Sequence, residues 1–258
     1  MPRTDLDPRR DAIERQATTE FWDRYDPPFN PVVVVIPALN ERESIGDVLD
    51  RIPDELGGQP STTLVMDDGS TDGTAELARD HGALVCRLEV NIGQGAAFRL
   101  GYRLAREGGA EIIATIDSDG QYVPEELEDV VAPVARGEAD LVIGSRVLGN
   151  ELTTDRYRAA GVRFFGWLAS VLGKQRLTDT SSGLRAMRAE VTAKVRLDQT
   201  QYQTSELLMG ALAHGFRVTE VPTTMQDRTA GASKKGNELL YGVRYARAMI
   251  GTWLRERS

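Results

Sequence analysis

A chain of 258 residues can bury a substantial core, and one large α/β domain is the working expectation at this length. Its formal charge of -8 lacks the basic surface that neutralising phosphates requires, which excludes a general nucleic-acid binder. The one cysteine, Cys86, sits in an apolar run; it can form neither an intrachain disulfide nor a thiolate metal site, which fits a reducing, cytoplasmic setting.

The opening residues, MPRTDLDPRRDAIERQ, are charged and lack the apolar stretch of a signal peptide. No uninterrupted apolar run approaches the length of a membrane span, so no bilayer crossing is expected. Residues 1–30 read as a partly helical lead-in segment, with Phe21, Trp22, Tyr25 and Phe29 near its end and Pro27-Pro28 as punctuation. VVVVI (32–36) then has the β-branched composition of a strand buried on both faces, and a helical pattern follows from Ser44 to Leu56.

TTLVMD (62–67), ALVCRL (83–88), EIIATID (111–117) and DLVIGSR (140–146) repeat the strand signal, with helical stretches near 73–81, 95–107 and 124–136 between them. Strand and helix in alternation predict a mostly parallel sheet flanked by helices. Beyond residue 150 the pattern becomes mixed: an amphipathic helix near 156–173, a strand at 183–187, a helix near 204–214 and a strand at 217–225. A last amphipathic helix, 238–257, places Leu239, Leu240, Val243, Ala246, Ile250 and Trp253 on one side. The chain thus divides into a lead-in (1–30), a central α/β domain (31–236) and a C-terminal amphipathic segment (237–258).

Ligands of open parallel sheets sit beyond the carboxyl ends of the strands, so the residues where each apolar run stops carry the chemistry. Three ends are polar: Pro37-Ala38-Leu39-Asn40-Glu41, Met66-Asp67-Asp68-Gly69-Ser70 and Asp117-Ser118-Asp119-Gly120-Gln121. Asp117 and Asp119 alternate about Ser118, so both carboxylates can turn to one crevice, with the Gln121 amide oxygen available from the next turn. Hard oxygen ligands suit Mg2+ or Mn2+, which can bridge a diphosphate. The same residues also suit a turn in which each Asp bonds its own backbone. In DDGSTDGT two adjacent carboxylates end a buried strand, and Asp68 is the candidate to accept from a nucleobase edge; Glu41 suits either a ligand contact or the first turn of a helix.

Gly93 and Gly95 imitate part of a dinucleotide fingerprint, but Phe98 stands where its third glycine belongs, and no GxxxxGK[ST] occurs. His81 and His214 are isolated and offer no zinc spacing.

PALNE, DDGSTDGT, NIGQGAAFRLG (91–101), DSDGQ and GSR (144–146), in this order, resemble glycosyltransferase family 2 with the GT-A fold. DTSSGLRAM (179–187) and RTAGASK (228–234) place the resemblance near the dolichol-phosphate mannose and glucose synthases, over residues 32 to about 236. The resemblance implies a GT-A, Rossmann-like sheet and a metal-dependent enzyme that moves one hexose from a nucleotide-sugar donor. Pro37, Leu39, Glu41, Met66, Asp68 and Gly95 would line the nucleotide pocket, and Asp117, Ser118 and Asp119 would span ribose and diphosphate. Asp119 and Gln121 would be the principal metal ligands, while Arg146, Arg228 and Ser233 would contact donor or acceptor phosphates. Processive relatives carry a QxxRW motif; it is missing here, which implies single transfers.

Displacement at the anomeric carbon inverts its configuration. A neutral hydroxyl acceptor needs a general base, for which Asp179 and Glu206 are the carboxylates to test, whereas a lipid phosphate arrives ionised. Each of these two also suits a buried cap or a salt-bridge partner. RYRAAGVRFFGWLASVLGK (156–174) sets Val162, Phe164, Phe165, Trp167, Leu168 and Val171 beside Arg156, Arg158, Arg163 and Lys174, a composition suited to the membrane interface as well as to a core. The expected partners are therefore a nucleotide-sugar, a polyprenyl or dolichyl phosphate and the cytoplasmic face of the membrane. A soluble hydroxyl acceptor and an inactive nucleotide-sugar-binding scaffold are the alternatives.

Overall fold

The computed structural model describes residues 8–151, 156–199, 201–226 and 238–257. Helix α1 (Pro8–Trp22) carries the lead-in and is followed by β1 (Val32–Ala38) and α2 (Ile45–Asp50). Then come β2 (Glu55–Leu56), β3 (Gln59–Asp67), α3 (Thr74–Asp80), β4 (Leu84–Arg87), α4 (Gln94–Glu107) and β5 (Ile112–Thr115). A 3-10 turn at Pro124–Glu126 leads into α5 (Leu127–Ala135), then β6 (Leu141–Glu151), α6 (Arg156–Gly173), β7 (Arg185–Arg188) and α7 (Ala189–Lys194). Helix α8 (Gln203–Ala213), β8 (Val218–Met225) and α9 (Glu238–Arg255) complete the order.

One sheet runs β4-β3-β1-β5-β7-β6-β8, with β2 paired antiparallel to the start of β3. β1 is parallel to both β3 and β5, β6 is parallel to β8, and β7 lies antiparallel between β5 and β6. The sheet is therefore mostly parallel, and its C-terminal half is mixed, as expected.

The β-branched run of β1 fills both layers. Val33 and Val35 pack with α1, α4, α8 and α9, whereas Val32, Val34 and Ile36 pack with α2, α3 and α5; all five are fully buried. Burying each such side chain contributes roughly 1.5–3 kcal/mol, which fixes the register of the central strand. Ala17 and Phe21 of α1 and Tyr245, Ala248 and Met249 of α9 join the first layer, so the lead-in and the C-terminal helix share a core with the sheet. The lead-in aromatics interlock: Phe21 lies 4.9 Å from Tyr25 and 5.0 Å from Trp22, ring centre to ring centre, and Trp22 stacks on Phe29.

Three elements differ from expectation. The helix expected over 44–56 stops at Asp50, because Pro53 carries no amide hydrogen and disfavours a helical residue before it. The stretch after it instead pairs as β2 across Gly57 and Gly58, both at positive φ. The first turn of the helix expected at 124–136 is 3-10, and α7 follows β7 where no helix was foreseen.

Candidate active site

The carboxyl ends of β1, β3 and β5 converge and are stitched together by their own loops. Ala38 pairs with Asp67 at the end of the ladder, and the Asp68 amide donates to the Ala38 carbonyl at 2.9 Å. Ser118 Oγ donates to the Pro37 carbonyl at 2.9 Å, and Ser44 Oγ donates to the Ser118 carbonyl at 2.9 Å. Asn40 takes the left-handed conformation (φ 55) that asparagine tolerates. Its amide then reaches Ser70 Oγ at 2.8 Å, and its side-chain oxygen accepts the Thr71 amide at 2.9 Å. Gly69, at φ +82, has no room for a side chain, since a Cβ there would lie 2.6 Å from the Val90 carbonyl carbon.

The residues expected around the nucleotide divide into two groups. Pro37 is buried in β1, while Leu39 and Glu41 are half-buried on the loop that follows it. Glu41 also serves its own turn: its amide donates to Thr74 Oγ1 at 3.0 Å and its carboxylate accepts from Ser44 Oγ at 3.2 Å. Met66 does not line a pocket. It is fully buried in the α4 layer, where a Cβ on Gly101 would lie 2.9 Å from its Cγ, because the alternation of β3 turns position 66 to the core. Asp68 accepts the Ile92 amide at 2.8 Å and the Gly93 amide at 3.0 Å, one on each oxygen, so it organises the turn that delivers Gly95 into the buried first turn of α4. Burial pushes the Asp68 carboxyl above its ordinary value, against the pull of those two amides. A base edge would add a third donor to a group that can accept about four.

Asp117 is half-buried, Ser118 and Asp119 are buried, and Gln121 is half-buried, all on the turn after β5. The Asp117 carboxylate lies against the backbone of Gly183, where a Cβ would stand 2.3 Å from Oδ2. Ser118 is a stitch between strand ends, and its hydroxyl is engaged by Pro37 rather than turned to a ligand. Asp119 Oδ1 accepts the Gln121 amide at 3.1 Å, and Gln121 Nε2 donates to the Gln226 carbonyl at 3.2 Å. That last bond places the amide nitrogen against the protein, and an amide oxygen is the end of a glutamine suited to a cation.

No group of three or more His, Cys, Asp or Glu arranged to hold a metal ion occurs among the described residues. The donor set of Asp117, Asp119 and Gln121 nevertheless fits Mg2+ or Mn2+, which commonly take one or two carboxylates and complete their shell with phosphate oxygens and water.

Asp179 and Glu206 take the buried salt-bridge and capping roles weighed for them beside that of a base, and Arg146 is the partner of Asp179. Arg146 and Asp179, at 5% and 0% exposure, form a two-pronged pair: Nε donates to Oδ2 at 2.7 Å and Nη2 to Oδ1 at 2.8 Å. Nη2 also reaches Ser181 Oγ at 2.6 Å. Burial alone would raise the Asp179 carboxyl, but the hydrogen bonds and charge of Arg146, helped by the Ser181 amide, hold it below its ordinary value. A carboxylate so held is a poor proton acceptor.

Glu206 Oε2 accepts the amides of Asp198 and Gln199, and Oε1 accepts from Arg255 at 3.1 Å. It joins α8 to the preceding loop and to the end of α9, and its role is that of a buried anchor. Arg228 and Ser233 lie outside the described residues.

Three residues read only as parts of elements belong to the site's frame. Tyr122, which follows Gln121 and is 2% exposed, accepts the Gly183 amide at 3.0 Å. Arg185 donates to the carbonyls of Thr180 and Ser182, and Tyr245 to that of Thr180. Tyr122 adjoins the quoted DSDGQ and Arg185 lies within DTSSGLRAM, which is the signal that could have found them; Tyr245 carries none.

A mostly parallel sheet with one antiparallel insert, and an acidic turn at the mouth of its central strands, define a glycosyltransferase of the GT-A fold. The model of the family described as glycosyl transferase family 2 matches residues 33–196, and the chain belongs to that family. It is 32% identical to a polyprenol monophosphomannose synthase of Mycolicibacterium smegmatis over 250 residues, covering 88% of each chain. It is 31% identical to a dolichyl-phosphate hexose transferase of Haloferax volcanii, covering 89% of this chain and 96% of that one. Its fold is similar to the crystal structure of glucosyl-3-phosphoglycerate synthase from Mycobacterium tuberculosis in complex with Mn2+, UDP and glucosyl-3-phosphoglycerate. That match has a TM-score of 0.63 at 22% identity and covers 88% of this chain and 80% of that one.

Proposed function

We propose that the protein transfers one hexose, with inversion, from a nucleoside-diphosphate sugar to a polyprenyl or dolichyl phosphate. The observation that carries the choice of acceptor is the commitment of both buried carboxylates considered as bases. Asp179 is paired to Arg146, and Glu206 is bonded to two amides and Arg255. A hydroxyl acceptor needs a base poised to take its proton, whereas a phosphate monoester is already an anionic nucleophile and needs only orientation. The names of the M. smegmatis and H. volcanii relatives, a polyprenol monophosphomannose synthase and a dolichyl-phosphate hexose transferase, support the same acceptor class.

In this reading the base and ribose lie along Pro37, Leu39, Glu41 and Asp68, beside the turn to Gly95, and the diphosphate reaches the turn of Asp117, Asp119 and Gln121. Those three residues would hold a divalent cation, Mg2+ or Mn2+, which when bound offsets the charge building on the leaving diphosphate. The stitched strand ends keep the carboxylates in place without reorganisation during transfer, which is where a preorganised polar site gains its effect. Asp68 fixes the loop that closes the base side, and Tyr122 and Gly183 fix the wall behind Asp117.

The acceptor reading also includes a membrane surface. Among the described residues no helix is long and apolar enough to cross a bilayer. Yet α6 exposes Phe164, Trp167 and Val171, and α9 exposes Val243, Ile250 and Leu254, at 41–64%. Exposed Arg163, Lys174, Arg244 and Arg247 flank them, the arrangement that seats a helix at an anionic interface.

The decisive experiment supplies labelled UDP-glucose or GDP-mannose with Mn2+ and either a polyprenyl phosphate or a free sugar, and asks which acceptor gains label. Label in the lipid phase, lost in Asp119→Ala, supports the proposal; label only on the hydroxyl acceptor overturns it.

A further inference from the structure

Arg185 heads the largest fully buried side chains of the described residues, at 1% exposure, and no carboxylate pairs with it among them. All of its bonds go to backbone carbonyls. Nε donates to Ser182 at 2.8 Å, Nη2 to Thr180 at 2.9 Å, and Nη1 to Thr204 at the start of α8. Burying a full positive charge with no carboxylate bonded to it is costly even with the charge of Asp179 nearby, and a smaller neutral side chain would fill a core at lower cost. What the guanidinium supplies instead is a rigid fork able to bind carbonyls in three directions.

Those carbonyls belong mainly to the strap of residues 180–183, which other donors also fix. Tyr245 OH reaches the Thr180 carbonyl at 3.0 Å, and Thr115 Oγ1 reaches that of Gly183 at 2.7 Å. The strap also meets the acidic turn: Gly183 abuts the Asp117 carboxylate, and the Ser181 hydroxyl accepts from Arg146. The position of the strap therefore sets where Asp117 can stand.

We propose that Arg185 is a positioning residue for the donor site, acting through the strap to hold Asp117 in the geometry that binds a metal-complexed nucleoside diphosphate. The proposal rests on the donor-site reading above. It requires that loss of the fork damage metal-dependent binding selectively, since Pro37, Leu39 and Asp68 do not lean on the strap.

Calorimetric titration of UDP and GDP, with Mn2+ and with EDTA, tests this on wild type, Arg185→Lys and Tyr245→Phe, each checked for a cooperative melt. Lysine keeps the charge but cannot span three carbonyls. The expected result is that Arg185→Lys weakens binding with Mn2+ by about tenfold or more, the effect of one lost charge-assisted hydrogen bond. Binding in EDTA stays unchanged, and Tyr245→Phe gives a smaller loss of the same kind. Wild-type affinity with Mn2+ in folded Arg185→Lys overturns the proposal, as does an equal loss with and without metal. If Arg185→Lys does not fold, unaltered Mn2+-dependent binding in Tyr245→Phe overturns it. If wild type itself shows no metal-dependent binding, the donor-site reading fails, and the proposal with it.

Discussion

Replacing Gly183 by alanine separates the geometry of the acidic turn from the stability of the fold. The added Cβ would stand 2.3 Å from Asp117 Oδ2, 2.7 Å from its Cγ and 2.9 Å from Oδ1. Ordinary carbon contacts lie near 3.5–4.0 Å, so carboxylate and strap must separate by about 1 Å. The strap is the less yielding partner, because the Gly183 carbonyl accepts Thr115 Oγ1 and its amide donates to Tyr122. Asp117 therefore moves. A misplacement of about 1 Å at a reacting centre can cost on the order of a hundredfold in rate, and a loss of that size in kcat is expected.

Gly183 is not among the glycines at positive φ, so alanine meets no backbone strain there. The smaller entropy of an unfolded alanine offsets part of the contact cost, by about 0.4–1 kcal/mol. Steady-state transfer with saturating donor, run beside a thermal melt, reads both effects. A kcat within about twofold of wild type with an unchanged melt would refute the claim that Asp117 is held by the strap, since a hundredfold loss is what misplacement predicts.

Other perturbations address neighbouring claims. Arg146→Met strips Asp179 of its partner inside the protein and should lower stability by about 3–5 kcal/mol in urea unfolding, the usual cost of an uncompensated buried charge. The Asp179 carboxyl is held below its ordinary value, so its contribution is present above the unfolded value near pH 4 and is lost as pH falls through the folded one. The acid limb of wild-type stability should accordingly flatten in Asp179→Asn when urea midpoints are followed against pH. Glu206→Gln should leave kcat within about twofold, because removing a true general base would cost roughly 10²–10⁴. Trp167→Glu should reduce sedimentation with anionic liposomes at low salt without changing donor binding; wild-type sedimentation of that variant would detach α6 from the membrane reading.

The motifs at the ends of β1, β3 and β5 were legible because they are local: a β-branched run that stops at Asp or Asn is written in consecutive residues, and a parallel sheet brings such ends together. The same is true of the amphipathic stretches of α6 and α9, whose periodicity is carried within each helix. Partnership was not legible. That Arg146 faces Asp179, that Met66 turns to the α4 layer while Asp68 turns to the Ile92 and Gly93 amides, and that Glu206 meets Arg255 across 49 positions depend on contacts between distant elements.

Composition and pattern thus determined the strands, the crevice and the acidic turn, since short-range periodicity and turn chemistry suffice for them. Tertiary structure alone decided which donors each buried charged side chain meets. A buried carboxylate acquires its role from whichever donors the fold carries to it, and β7, inserted antiparallel to both β5 and β6, carries Arg185 just after the strap that meets Asp117.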